Sequence, residues 1–195
     1  IILSFLVAIK EDPLLFDVFY GRTISSISNL IDFVDNMLKL SRASKIIDIK
    51  VYLDPEKIIQ AFFEKFSPES PDIKLDFIYP ISLIHGDPAG IEQVFSNLIQ
   101  NSIRYRDPKK SMLIIEVGCC NQGNKSVITY KDNGSGIVKE NLDKVFQLGF
   151  TGSEKKGTGI GLTIVQKIIT AHGGTIRVNS EGTGLGVEFV IEIPK

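Results

Sequence analysis

Two glycine clusters constrain what this chain can become more than its bulk composition does. The first, Asp132-Asn133-Gly134-Ser135-Gly136, follows the apolar, β-branched run Val127-Ile128-Thr129-Tyr130 and so closes a strand. The second, Gly157-Thr158-Gly159-Ile160-Gly161, opens a helical pattern, and the polar segment between the clusters carries Lys155 and Lys156. Glycine lets a backbone turn sharply and approach a ligand closely. Consecutive free N–H groups at a helix start attract anions, and the helix dipole adds to that attraction. The second cluster therefore reads as a phosphate cradle, the lysines as movable positive charges above it, and Asp132 as a fixed acceptor at a strand end. An acceptor, a hinge and a phosphate nest in one stretch predict a nucleotide site.

The remaining segments supply a frame for that stretch. Residues 1–10 read as a helix end stopped by Asp12-Pro13, and Leu14 to Arg42 as a long second helix. Within it Ile24, Ile27, Ile31, Val34 and Leu38 follow the 3-4 spacing of a bundle seam, widened by Leu30 and Met37. A helical hairpin is too thin to bury such a seam alone, which predicts a homodimer through these helices. Strands are expected at 46–53, 73–79, 81–85, 112–117, 125–130, 175–178 and 186–193. Helices are expected from Asp54-Pro55 to Phe66, over 87–105, briefly over 139–145, and over 158–171. Asp54-Pro55 and Asp87-Pro88 each offer an N-cap carboxylate followed by proline at the first helical position. The alternation predicts an α/β two-layer sandwich, a mixed sheet with helices on one face, behind an α-helical hairpin. The expected division is a partial hairpin over 1–45 and a nucleotide-binding domain over 46–195.

Composition narrows the partners. With 195 residues, 43% hydrophobic, 23% charged and a net charge of −1, the chain is globular and has no basic excess to hold nucleic acid. Its two cysteines, Cys119 and Cys120, are neighbours in an expected strand. They point to opposite faces and neither bridge nor share a metal, which fits a reducing, cytoplasmic setting. The run Ile1–Ile9 is too short to span a bilayer, so no direct membrane contact is expected in this chain. It begins abruptly inside an apolar pattern, as expected of the cytoplasmic portion of a longer, membrane-bound protein.

The helix over 87–105 carries the remaining chemistry. Asn97 and Asn101 are four residues apart, so both amides leave one helix face. Mg²⁺ prefers a few hard oxygens and keeps most of its waters while binding phosphates, and Asn101 offers one such oxygen. Arg104 can neutralise phosphate charge, and Tyr105 can lie along a base. A Walker A loop is absent. Gly182-Thr183-Gly184 reads as a turn between strands.

At this point the chain resembles a family. NLIQNSIRY looks like the asparagine box of sensor histidine kinases, and DNGSGI like their first glycine box. VFQLGF resembles their phenylalanine box, and GTGIGLTIVQKIITAHGG their second glycine box with its helix. EGTGLGVEFVIEIP resembles the last glycine motif, and ISNLIDFVDNMLKLSRAS the end of the second dimerisation helix. The resemblance implies the GHKL ATPase fold and a protein-histidine kinase that uses ATP and Mg²⁺. A response regulator receiver domain would be its partner. By position, Asp132 would bind the adenine 6-amino group, with Gly134, Gly136 and Ile137 around the base. Asn101 would hold Mg²⁺ beside Asn97 and Arg104, the three expected catalytic positions. Phe146 and Phe150 would anchor an ATP lid reaching Lys155 and Lys156. Gly157, Thr158, Gly159, Ile160, Gly161 and Leu162 would surround the phosphates, and Tyr105 would flank the nucleotide. Related hydrolases place a water-activating glutamate where Asn97 stands. An amide cannot take that proton, which favours phosphoryl transfer to a protein over hydrolysis.

Two departures stand out. Val187 occupies a position where the family usually has Thr or Ser, so one hydroxyl near the adenine is expected to be lost. The phosphoacceptor is also missing. Only His85 and His172 are present, one at a strand end and one at a helix end, and both read as structural. The resemblance therefore implies the ATP-binding part of a two-component kinase whose acceptor histidine lies elsewhere. The alternatives are a nucleotide-sensing module without catalysis, and a serine kinase of the anti-sigma type.

Overall fold

The computed structural model describes residues 13–42, 50–66, 72–152 and 157–195. The expected helix end at 1–10, the first half of the expected strand at 46–53, and Lys155 and Lys156 lie outside the described residues.

The first helix, α1 (Pro13–Arg42), is followed by β1 (Val51–Leu53), α2 (Pro55–Phe66), β2 (Ile73–Ile78), β3 (Ile84–Gly86) and α3 (Pro88–Arg104). Then come β4 (Leu113–Gln122), β5 (Lys125–Asp132), a 3₁₀ helix (Lys139–Lys144), α4 (Gly161–Ala171), β6 (Thr175–Asn179) and β7 (Val187–Pro194). Both aspartate-proline starts work as the sequence predicts. The Asp54 carboxylate accepts the N–H groups of Glu56 at 3.1 Å and Lys57 at 3.4 Å. Asp87, in extended geometry, accepts that of Gly90 at 2.6 Å. Each satisfies a donor that the helix itself leaves unpaired.

Five strands form one mixed sheet in the order β2-β4-β5-β7-β6, with β2 parallel to β4 and the other pairs antiparallel. β1 and β3 make a separate two-stranded ribbon. Alternation decides which face is covered. Leu113, Ile115, Val117 and Cys119 of β4 are buried, as are Ser126, Ile128 and Tyr130 of β5 and Phe189, Ile191 and Ile193 of β7. Their register stacks Val117 on Tyr130 and Tyr130 on Phe189. Helices α3 and α4 close this face with Ile91, Val94, Phe95, Leu98 and Ile99 from one and Ile164, Val165, Ile168 and Ile169 from the other. The same alternation sends Cys119 inward and Cys120 to solvent, so the two free thiols never share a face.

Several boundaries differ from the sequence reading. β4 runs on to Gln122 because Cys119 and Cys120 pair with Ile128 and Val127. β5 runs on to Asp132, paired with Val187, and β3 covers Ile84–Gly86 rather than 81–85. Of the expected strand at 46–53 the described part is Val51–Leu53. The last helix begins at Gly161 rather than Thr158, since Gly157 and Gly159 hold φ of +86° and +67°, which no right-handed helix contains. On α1, Leu40 is buried and Met37 packs against the core. Ile24, Ile27, Leu30, Ile31, Val34 and Leu38 stay 46–63% exposed. Among the described residues no helix is long and apolar enough to cross a membrane.

Candidate functional site

A cavity of about 340 Å³ opens between the end of α3, the 133–138 loop, the 3₁₀ helix and the start of α4. At its floor is Asp132. As the last residue of β5 it continues the inward series Ser126, Ile128, Tyr130, so alternation turns its carboxylate toward the helices. It is only 7% exposed. Oδ1 accepts the Gly134 N–H at 2.8 Å and Oδ2 accepts the Ser102 hydroxyl at 2.7 Å. The same hydroxyl lies 3.0 Å from the buried Tyr130 phenol. Burial raises the Asp132 pKa, against the pull of Ser102, of the Gly134 and Val187 N–H groups, and of the Lys110 charge. Lys110 itself donates to the carbonyls of Asn133 at 2.6 Å and Gly184 at 2.7 Å, so it ties two loops together rather than pairing with the carboxylate.

The glycines around Asp132 are forced by close approach. A Cβ on Gly134 would sit 2.8 Å from the Tyr105 carbonyl oxygen. One on Gly136, at φ +69°, would run into the Gly182 carbonyl. The loop is threaded between the end of α3 and the 182–184 turn, with Ser135 N–H donating to the Tyr105 carbonyl at 2.8 Å and Gly184 N–H to the Ser135 carbonyl at 2.7 Å. Gly136, Ile137 and Thr183 line the cavity as a result.

The opposite end is built from α3 and the second glycine cluster. Asn97 donates its amide N–H to the Gln93 carbonyl at 2.9 Å, which leaves its oxygen directed elsewhere. A Cβ built on Gly161 would lie 3.1 Å from Asn97 Oδ1 and 3.9 Å from Asn101 Oδ1. The absence of a side chain there lets the start of α4 meet both amide oxygens. Asn101 and Leu162 line the cavity, while the Ile160 side chain is wholly buried in the core. Helix α4 has no side-chain cap and no acid in its first turn, so its leading N–H groups have no side-chain partner. Arg104 stands over Gly157, whose Cβ would be 2.5 Å from the guanidinium. Tyr105 lines the cavity, its phenol pKa raised by burial and lowered in part by Arg104.

A backbone clasp holds the segment between the clusters at both ends. Gly149 N–H donates to the Gly159 carbonyl at 3.1 Å, and Thr163 Oγ1 donates to the Phe146 carbonyl at 3.0 Å. Phe146 packs against the core rather than lining the cavity, and Phe150 lines it. Thr158 Oγ1 accepts an amide hydrogen of Asn36 on α1 at 3.3 Å. Of the fifteen expected site residues among the described ones, six line this cavity, namely Asn101, Tyr105, Asp132, Gly136, Ile137 and Leu162; Asn97, Arg104, Gly134, Phe146 and residues 157–161 do not.

His172 has both ring nitrogens engaged, and His85 makes a ring contact. His172 accepts the Asp87 N–H on Nε2 at 2.9 Å and hydrogen-bonds the Ile168 carbonyl through Nδ1 at 2.8 Å. His85 packs against Tyr52 with ring centroids 5.1 Å apart. The hydroxyl expected to be lost at Val187 has a counterpart: Ser102 reaches Asp132 from the helix side. Ser102 carries no sequence signal, since a serine beside Asn101 reads as an ordinary helical position. Asn141, Val145 and Phe189 also line the cavity without having been singled out.

Comparison with known proteins agrees with this geometry. The family model for histidine kinase-, DNA gyrase B-, and HSP90-like ATPases matches residues 86–195. The sensor protein RprX of Bacteroides fragilis is 41% identical over 117 residues, covering 57% of this chain and 22% of that protein. The sensor protein SrrB of Staphylococcus aureus is 38% identical over 110 residues, covering 54% and 18%. The chain therefore spans about a fifth of the length of these curated relatives. Among solved structures, the nucleotide-free catalytic domain of the histidine kinase ThkA superposes with a TM-score of 0.62 at 27% identity, over 75% of this chain and 96% of that one. The Acinetobacter baumannii histidine kinase AdeS superposes with a TM-score of 0.65 over 94% of this chain and 85% of that one. At 23% identity that second likeness speaks for the fold alone.

Proposed function

The chain belongs to the histidine kinase-, DNA gyrase B- and HSP90-like ATPase family, and on that premise we propose that it is the ATP-binding part of a two-component sensor histidine kinase. One observation carries the proposal. A buried carboxylate, Asp132, and the Asn101 amide line one cavity, and Gly161 brings the start of α4 against the oxygens of both Asn101 and Asn97. The carboxylate suits the 6-amino group of adenine, with Gly136 and Ile137 against the base. The amides, the leading N–H groups of α4 and Arg104 suit the phosphates.

A magnesium ion fits the donors on offer. Among the described residues no group of three or more His, Cys, Asp or Glu side chains forms a metal cage. A half-buried amide oxygen on Asn101 at the cavity edge suits an ion held mainly by phosphates and water. Bound there, Mg²⁺ would neutralise charge on the phosphate oxygens. Asn97 cannot serve as a base toward water, so the residues present position the γ-phosphate without activating a hydrolytic nucleophile. Transfer breaks the bond from the bridging β,γ oxygen to the γ-phosphorus and forms a phosphorus–nitrogen bond to an imidazole, with ADP leaving. His172 is bonded at both ring nitrogens and His85 ends a short strand against Tyr52, so neither suits the acceptor's role, which falls to a histidine on a dimerisation domain. The exposed seam of α1 suits pairing with a second copy. The expected division at 45/46, a receiver-domain partner and a cytoplasmic setting within a longer sensor complete the reading. The relatives' names, sensor proteins and histidine kinases, favour it over a serine kinase or a silent nucleotide sensor.

Calorimetric titration with Mg-ATP tests the site, and labelled ATP with a separate helical fragment bearing an exposed histidine tests the transfer. Binding together with acid-labile label on the fragment is expected. Binding without label would overturn the kinase reading.

A further inference from the structure

We infer that Ser102 is the residue that sets the base selectivity of this pocket, acting through Asp132 as a positioning group. The inference rests on the adenine reading above.

The hydroxyl protons around Asp132 have a fixed direction. An ionised carboxylate accepts hydrogen bonds and donates none. The Ser102 hydroxyl, 2.7 Å from Asp132 Oδ2, must then be the donor. Its oxygen is left to accept, so the Tyr130 phenol 3.0 Å away donates to it. Tyr130, Ser102 and Asp132 form a one-way relay with every proton directed at the carboxylate. Ser102 is 2% exposed and Tyr130 is fully buried, so water does not compete for these bonds.

Counting acceptor sites shows what the relay achieves. A carboxylate has about four lone-pair positions. Gly134 N–H takes one on Oδ1 and Ser102 takes one on Oδ2. Because Gly134 and Ser102 hold different oxygens, the carboxylate plane cannot turn. About two acceptor positions then remain on a carboxylate that lines the cavity. A purine with an exocyclic N–H there satisfies one of them. A purine with a carbonyl there would set oxygen against oxygen, and one with only hydrogen would leave the acceptor unmet. Without Ser102 the plane is held from one oxygen only, and the carboxylate can turn away or take up water.

The register supplies an independent check. Val187 lies directly opposite Asp132 in the β5–β7 pair, and both line the cavity. Val and Thr share a shape, so Val187→Thr can place a hydroxyl beside the carboxylate from the other side without disturbing packing.

The experiment is calorimetric titration with Mg-ATP and with Mg-purine riboside triphosphate, which lacks the 6-amino group. The proteins are wild type, Ser102→Ala, and Ser102→Ala with Val187→Thr. Wild type should prefer ATP. Ser102→Ala should weaken ATP about tenfold, the effect of one hydrogen bond to a charged group, and change the analogue less than about twofold. Adding Val187→Thr should recover most of the preference. If Ser102→Ala does not fold, Ser102→Cys, a weak donor of similar size, is read in the same way. Equal loss for both nucleotides, or an undiminished preference for ATP in the Ser102 variant, overturns the inference. Wild type that shows no preference for ATP instead overturns the adenine reading beneath it.

Discussion

Replacing Asp132 by asparagine should weaken the ligand and remove one pH-dependent limb of protein stability. The side chain keeps its shape but loses its charge. A hydrogen bond to a charged group contributes about 1.5–3 kcal/mol, so Mg-ATP should bind roughly 10- to 150-fold more weakly at 1.4 kcal/mol per decade. The sign for stability follows from the pKa. Burial raises the Asp132 carboxyl above its ordinary 3.8 in the folded protein. A raised pKa means a contribution that is present below the unfolded value and lost as pH rises through the folded one. The wild-type melting temperature should therefore fall as pH rises through the raised Asp132 pKa, and that limb should be absent from the variant, whose amide does not titrate. Calorimetry with Mg-ATP and thermal melts over a pH series measure both limbs. Wild-type ATP affinity in the folded variant would refute the placement of the base. A pH limb that survives in the variant would refute its assignment to Asp132.

Three further outcomes follow from other parts of the site. Asn101→Ala should abolish Mg²⁺-dependent phosphoryl transfer while leaving adenosine binding within about twofold of wild type, since only one hard oxygen is removed; a magnesium titration of transfer checks it. Gly159→Ala forces a Cβ to 2.5 Å from the Gly149 carbonyl carbon at φ +67°, and left-handed geometry alone costs about 1–2 kcal/mol for a residue with a Cβ. It should weaken ATP far more than adenosine, measured by parallel titrations. His172, whose pKa burial lowers from 6.5, contributes stability that is complete above 6.5 and lost as pH falls through the lowered folded value. Melting temperatures should drop along that limb in wild type and stay level in His172→Gln.

The legible parts of this protein were those decided by neighbours in the chain. Asp54-Pro55 and Asp87-Pro88 announce helix starts because the cap bond reaches only two or three residues forward. The inward aim of Asp132 is likewise local, being two residues beyond Tyr130 in a strand. What needed the fold were contacts across the chain. Nothing near Ser102 indicates that it meets a residue thirty positions away at the end of a strand. Nor does the sequence indicate that β2 pairs in parallel with β4 while the following strands are antiparallel. The start of α4 was misplaced for a third reason. Residues 157–160 have the polarity of a helix entrance, but Gly157 and Gly159 take positive φ because the chain there must clear Arg104 and the 149–150 backbone.

The two ends of the cavity are stabilised by different physics, and this bears on what each can contribute. The base end is held by sheet register, by a buried relay of hydroxyls and by glycines pressed against neighbouring carbonyls, so its geometry is set before any ligand arrives. A preset acceptor in a low-dielectric floor discriminates strongly, because a mismatched partner leaves a charge unmet. The phosphate end is different. A triphosphate carries several negative charges, while among the described residues only Arg104 is placed against the glycine cluster. The uncapped start of α4 adds roughly half a positive charge. On the proposed reading that is too little to neutralise the ligand, and a divalent cation and backbone N–H groups would supply the rest. The proposed function thus puts selectivity at the Asp132 end and leaves charge compensation at the Asn101 end to a metal that would arrive with its nucleotide.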